Sequence, residues 1–177
     1  MGLESLTPSP AAGFDMPLAL LTACHQRILH FCSMLERLAE HIEKYDLDLQ
    51  ATETAKLIYK YFSTAGRHHH EDEENDLFPL LLQHNNGLAI LLNQLTETHR
   101  QLDNIWEELQ PLLLDSELIT GNIDKFKAIS HRFAELNREH IMIENRELLP
   151  QAAVLLTNTE NTSLGRMMAR RRGIPYS

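Results

Sequence analysis

Residues 140–150 read His-Ile-Met-Ile-Glu-Asn-Arg-Glu-Leu-Leu-Pro, and they repeat, position by position, residues 69–79, His-His-Glu-Asp-Glu-Glu-Asn-Asp-Leu-Phe-Pro. Both copies follow the pattern His-x3-Glu-x2-acid-Leu-apolar-Pro, which chance rarely produces twice in one chain. Residues four apart lie on the same face of a helix, so each copy directs an imidazole and a carboxylate to one side. The repeat therefore predicts two helices that each carry a metal-ligand unit.

The repeat extends upstream of both copies. His25 precedes the first copy by 44 residues, and His99 precedes the second by 41. This spacing predicts two helix hairpins, each with a lone His on its first helix and His-x3-Glu on its second. Imidazole and carboxylate together suit first-row transition metals, so we expect a pair of such ions. The candidate ligands are His25, His69, His99 and His140 as terminal nitrogens, with Glu73 and Glu144 as bridging carboxylates.

Two other His-x3-Glu pairs compete for this role. His131 and Glu135 lie nine residues before the second unit, about 180° around a helix, so they are expected to face solvent. His70 and Glu74 share a less apolar stripe and do not align with the second copy. His70 nevertheless adjoins the site and stays a candidate extra ligand or outer-sphere partner. The other charged residues of this stretch are expected on an outer face: His68, Glu71, Asp72 and Glu74.

The hydrophobic pattern predicts four long helices, at about residues 16–45, 52–82, 88–109 and 122–156, with Asp15 capping the first and Pro111 forcing a break or kink after the third. Short connections make this an all-α, up-down four-helix bundle. Residues 1–15 are expected to be a disordered lead, 16–156 the bundle, and 157–177 a basic tail or a short fifth helix. The predicted pocket beside the ligands is apolar and has no acid or base; it is lined by Ile28, Phe62, Leu102 and Phe133.

Composition limits the function further. The net charge of −9 repels nucleic acid and acidic membranes, and the arginines of residues 170–172 are expected to be a solvated helix end. The chain has no signal-peptide pattern and no apolar run near the ~20 residues of a membrane helix, so we expect a cytoplasmic protein. Cys24 and Cys32 would lie roughly 12 Å apart on one helix, beyond the ~7 Å limit for a disulfide.

A lone His on an apolar helix face is usually just a packed core residue. Six polar or ionisable groups at one level of a core are different, because their burial is very costly unless they are neutralised. Metal coordination neutralises all six together. We therefore favour a metal site over a metal-free interaction bundle.

At these residues the chain resembles bacterial hemerythrin-like proteins of the HHE cation-binding family, over residues 16–156. The resemblance rests on the ordered set His, His-x3-Glu-x3-Leu-Phe-Pro, His, His-x3-Glu-x3-Leu-Leu-Pro. Ferritin-like di-iron bundles use Glu-x2-His instead, and no His of this chain has a Glu three residues before it. The rival bundle is therefore disfavoured.

The resemblance implies a non-heme di-iron centre with an oxo or hydroxo bridge, held by the six candidate ligands, although other transition metals stay open. Oxygen-transporting hemerythrins have His-x3-His on the third helix, whereas Leu95 and Asp103 flank His99 here. We therefore expect reaction with oxygen and not reversible carriage.

Related proteins sense or handle oxygen, nitric oxide or iron, and this is the expected role. The alternative is a redox enzyme that reduces peroxide or oxygen or repairs iron-sulfur centres. Repair proteins usually carry an N-terminal Cys-containing domain, which we do not find in this sequence. The apolar pocket favours a small gas or peroxide over polar substrates.

Overall fold

A computed structural model describes residues 13–175, and these residues are helical with no β-strand. The predicted all-α bundle is confirmed. None of the described helices is both long and apolar enough to cross a bilayer. The predicted lead, residues 1–15, lies mostly outside the described residues. The helices are α1 (Pro17–Tyr45), α2 (residues 49–84), α3 (Ala89–Leu114), α4 (Glu117–Thr120), α5 (residues 123–155) and α6 (Asn158–Arg171), with a 3-10 turn at Asn86–Leu88.

The four long helices form a closed ring of neighbours. Both α1 and α3 pack against α2 and against α5. Since short connections join successive helices, neighbours in the chain run antiparallel. The last helix, α6, packs across α1 and α2 at one end of the bundle. The ring encloses a single core along the bundle axis.

A polar layer divides this core into two apolar clusters. On α1, Leu21 belongs to one cluster and Ile28 to the other, and the buried His25 lies between them. On α3, Leu95 and Leu102 flank the buried His99 in the same way. The hydrophobic effect thus stabilises the bundle through two apolar clusters, and the buried polar groups lie in the layer between them.

Two equivalent π-helical turns interrupt α2 and α5. They span Glu73–Leu77 and Glu144–Leu148, and each begins at a Glu of the repeat. Each turn ends at the Leu of a Leu-apolar-Pro sequence, two residues before Pro79 or Pro150. Proline donates no backbone hydrogen bond and clashes with the carbonyl four residues earlier, so the preceding turn widens. Such π-turns are frequent at functional sites. A third one, Phe62–Gly66, lies in α2 alone.

Two details of the predicted helices are wrong. The third helix does not end at Pro111 but continues to Leu114. Pro111 faces solvent, whereas Leu112 and Leu113 are buried, so the packing of the last turn offsets the ~3 kcal/mol cost of an internal proline. Asp15 does not cap α1: the cap position is Met16, which makes no capping hydrogen bond, and proline follows in the first turn.

The C-terminal segment folds back over the bundle as α6. The helix starts with a capping box between Thr157 and Glu160, so its beginning is well defined by its own sequence. Gly165 lies against the chain segment that leads into α1, where an added Cβ would come within 1.9 Å of the Phe14 carbonyl oxygen. Only glycine allows this close approach of two backbones.

The expectation that residues 170–172 form a solvated helix end is wrong for Arg171 and Arg172, although Arg170 is exposed. The Arg172 Nη2 lies 2.7 Å from Asp72 Oδ2, and Arg171 also donates to the Asp72 carboxylate. Arg171 Nη2 lies 2.7 Å from Asp76 Oδ2. The expectation that Asp72 lies on an outer face is therefore wrong, because α6 covers this side of α2 and makes Asp72 fully buried.

Candidate metal centre

The structure brings all six candidate ligands to one level of the bundle. Each of the four long helices contributes, and every one of these residues is at most 2% exposed. The two His-x3-Glu units project from α2 and α5, and the lone histidines project from α1 and α3. The residues are His25, His69, Glu73, His99, His140 and Glu144.

Their ligand atoms form two groups of four, within which all atoms lie within 4.8 Å of one another. Both groups contain the same two carboxylates, Glu73 and Glu144. The first group adds His25 and His69, and the second adds His99 and His140. Two groups of ligand atoms that share both carboxylates are the arrangement that the sequence repeat predicts for a pair of ions.

The two oxygens of each carboxylate point to different histidines. Glu144 Oε2 lies 3.1 Å from His25 Nε2, and Glu144 Oε1 lies 3.0 Å from His140 Nε2. Glu73 Oε1 lies 3.5 Å from His69 Nε2, and Glu73 Oε2 lies 3.4 Å from His99 Nε2. Each carboxylate therefore offers one oxygen to each of the two positions.

Many of these buried polar atoms have no hydrogen-bond partner among the described residues. They include both oxygens of Glu73 and of Glu144, both ring nitrogens of His69, and Nε2 of His25. An unsatisfied buried polar atom costs about 1–3 kcal/mol, and more when it is charged. Coordination of two cations would satisfy the carboxylate oxygens and one nitrogen of each imidazole at once, so the residues present fit a metal pair.

The carboxylates and imidazoles shift one another's pKa values. Burial opposes charge on His25, but its contacts with Glu144 and Glu73 outweigh burial and raise its pKa to about 10. His99 behaves similarly and has a pKa of about 9, whereas burial lowers the pKa of His69. In the metal-free protein, therefore, protons on two imidazoles offset part of the carboxylate charge, and metal ions must displace them.

Two further residues orient the lone histidines. His25 Nδ1 lies 2.7 Å from Asn145 Oδ1, and His99 Nδ1 lies 2.6 Å from Glu74 Oε1. A hydrogen bond donated by Nδ1 fixes the tautomer and leaves Nε2 free for a metal. Asn145 and Glu74 each follow a repeat carboxylate, so each half of the repeat orients the lone His of the other half. Neither role was predicted from the sequence, although the equivalent positions of Asn145 and Glu74 in the repeat were a usable signal.

A cavity of about 700 Å3 lies beside the cluster. Its wall contains all four residues of the predicted pocket, Ile28, Phe62, Leu102 and Phe133. The expected absence of acids and bases is wrong, because Glu74, Asp103 and His70 also line the wall.

His70 lies next to the cluster, and its ligand atom is within 4.8 Å of those of His99 and His140, so these three residues form a further group that could hold a metal ion. Its ring stacks on that of His99 with 3.9 Å between centroids and an angle of 17° between the planes. Burial lowers the pKa of His70 well below its usual range, so this imidazole is neutral. The rival pair His131 and Glu135 lies on the exposed surface, where His131 contacts Glu36. Cys24 and Cys32 are both unpaired.

The bundle and its buried His and Glu groups define a class of proteins that bind metal cations between four helices. Residues 16–152 match the sequence model of the hemerythrin HHE cation binding domain. The chain belongs to this family and is a metal-binding protein. It is also similar to an uncharacterized protein of Haemophilus influenzae, with 29% identity over 175 residues that cover 97% of this chain and 99% of that protein.

Proposed function

We propose that this protein holds a non-heme di-iron centre, with His25 and His69 on one iron, His99 and His140 on the other, and Glu73 and Glu144 bridging them. One observation carries the proposal: both groups of ligand atoms contain both carboxylates. When two cations share a carboxylate, each of its two oxygens has a cation as its partner. Four imidazoles with two carboxylates suit iron among the first-row metals, and the family binds cations with such a domain.

The protein's own residues prepare this site before any metal arrives. The hydrogen bonds of Asn145 and Glu74 hold two imidazoles with Nε2 directed inward. The apolar clusters on both sides keep bulk water away and restrict the rotamers of the ligands. A bound iron pair would supply redox chemistry and open coordination positions for a small molecule.

Magnetic measurements test the shared carboxylates directly. The protein is loaded anaerobically with ferrous iron and oxidised, and its magnetic susceptibility is followed with temperature. Two ferric ions joined by bridges couple antiferromagnetically. We expect coupling in the parent protein, its loss in Glu73→Ala, and its retention in Glu135→Ala, which removes an exposed carboxylate. Two uncoupled ferric ions in the parent would contradict the proposal.

We further propose that the centre senses or handles oxygen or nitric oxide. This proposal is supported by the cavity beside the cluster, because Ile28, Phe62, Leu102 and Phe133 in its wall give a small, weakly polar molecule an apolar surface to bind. Nitric oxide titration of the ferrous protein tests it: we expect a stoichiometric change in the optical spectrum with little turnover. A lack of any spectral change would contradict this role.

The second candidate is a redox enzyme that reduces peroxide or oxygen. It is favoured by Asp103, which lines the same cavity and whose carboxyl group could act as an acid or base near a bound substrate. Steady-state assays with peroxide and oxygen distinguish the two roles. Turnover that falls in Asp103→Asn while the iron content stays constant would identify the enzyme.

A further inference from the structure

His70 is the least explained polar residue near the metal centre. Its ring nitrogens have no hydrogen-bond partner among the described residues. The neighbouring His99 and His140 do have partners. His99 Nδ1 lies 2.6 Å from Glu74 Oε1, and His99 Nε2 lies 2.8 Å from His140 Nε2. The His70 side chain is only partly buried, so its ring is open to a hydrogen-bond partner from outside the protein.

The ring geometry argues against His70 as a further metal ligand beside His99. Two imidazoles on one ion must direct their nitrogen lone pairs at a point about 2.1 Å from each nitrogen. The His70 and His99 rings are stacked 3.9 Å apart and only 17° from parallel. Their lone pairs therefore run side by side and do not converge on one ion.

His70 instead forms part of the cavity wall. His70 and Glu74 both line the cavity, and both contact His99. The cavity thus adjoins the cluster through His70 and Glu74, on the side of His99. Ser63, in the same wall, has a buried Oγ that also lacks a hydrogen-bond partner. The inner end of the cavity therefore presents unused hydrogen-bonding groups to an incoming molecule.

We propose that His70 is a positioning residue, which donates a hydrogen bond to an exogenous ligand that comes through this cavity and binds at the iron held by His99 and His140. The inference rests on the proposed di-iron function. The ligand class is a small molecule or anion that binds a metal end-on and accepts a hydrogen bond. His70 then makes the two iron positions unequal, although their protein ligands are of the same types.

Inorganic azide is a suitable probe, because it binds ferric iron end-on and accepts hydrogen bonds. Azide is titrated into the oxidised, iron-loaded protein, and its dissociation constant is read from the charge-transfer absorption. In His70→Leu we expect about tenfold weaker binding, equivalent to about 1.4 kcal/mol, with two irons retained. His70→Gln keeps a donor and should recover part of the affinity. His68→Leu is the matched control on the same helix and should bind azide like the parent.

The outcomes separate this inference from the proposed function. Two irons per chain in His70→Leu with unchanged azide affinity would overturn the inference and leave the di-iron proposal intact. Loss of one iron in His70→Leu and in His70→Gln would also overturn it, because His70 would then be a ligand. A cavity-filling Ser63→Leu variant tests the route: we expect azide association to slow about tenfold, and an unchanged rate would contradict access through this cavity.

Discussion

The ion-pair cluster that fastens α6 to α2 should be a large contributor to stability. The change to test is Asp72→Asn, which keeps the shape of the side chain but removes its charge. Asp72 is fully buried and accepts hydrogen bonds from both Arg171 and Arg172. After the substitution, two guanidinium groups would face an amide that can donate as well as accept.

The size of the effect follows from burial. Removing one partner of a buried ion pair typically costs 3–5 kcal/mol. The Arg171 and Arg172 side chains are 15% and 18% exposed, so water can solvate them in part, and we expect the lower end, about 3 kcal/mol. For a chain of this length, 1 kcal/mol corresponds to roughly 2–4 °C in Tm, which gives a decrease of roughly 6–12 °C.

Urea unfolding of the metal-free protein measures this loss, because Asp72 is not one of the candidate ligands. Glu97→Gln is the matched control: it removes the same kind of charge from the exposed pair of Glu97 with Arg100, and no measurable change is expected there. A loss below about 1 kcal/mol in Asp72→Asn would refute the reasoning that burial makes this cluster important.

Three further predictions concern the ligands, the backbone contact and pH. Glu144→Ala should greatly reduce the metal content measured by elemental analysis, whereas Glu135→Ala should not; the reverse result would show that the register of the repeat is wrong. Gly165→Ala should lower Tm, because its Cβ would overlap a backbone oxygen at 1.9 Å, and an unchanged Tm would contradict that close approach. The pKa values of His25 and His99 are raised to about 10 and about 9. Protonation of these two imidazoles therefore stabilises the metal-free protein. The stabilisation is complete below their unfolded pKa of ~6.5 and is lost as pH rises through 9 to 10. Metal loading at pH 7 should therefore release about two protons per chain, which calorimetry in buffers of different ionisation enthalpy measures; no proton release would contradict this.

The repeat was sufficient to place the ligands because helical periodicity relates residues four apart on any regular helix. His25 and His99 could be chosen since each lies within an apolar stripe and at a similar distance before a His-x3-Glu unit. The fold followed from the same periodicity, together with short connections. The ligand positions and the helical fold could be predicted because both depend mainly on the local sequence.

The features that were missed depend on departures from regular geometry and on distant contacts. The π-turn that begins at Glu73 changes the helical phase, which a constant 100° per residue does not represent. Glu74 thereby reaches His99 although it was expected on an outer face. Asp72 became buried because α6 folds back onto it, and no pattern within residues 69–79 contains that information. The continuation of α3 past Pro111 likewise depends on tertiary packing.

The number of iron ions bound per chain tests the central claim most directly. The apoprotein is titrated anaerobically with ferrous iron, the excess is removed, and iron and protein are quantified in the same sample. The shared carboxylates predict saturation at two irons per chain, bound together without a stable one-iron form. Saturation at one iron per chain, or the absence of retained iron, would contradict the account.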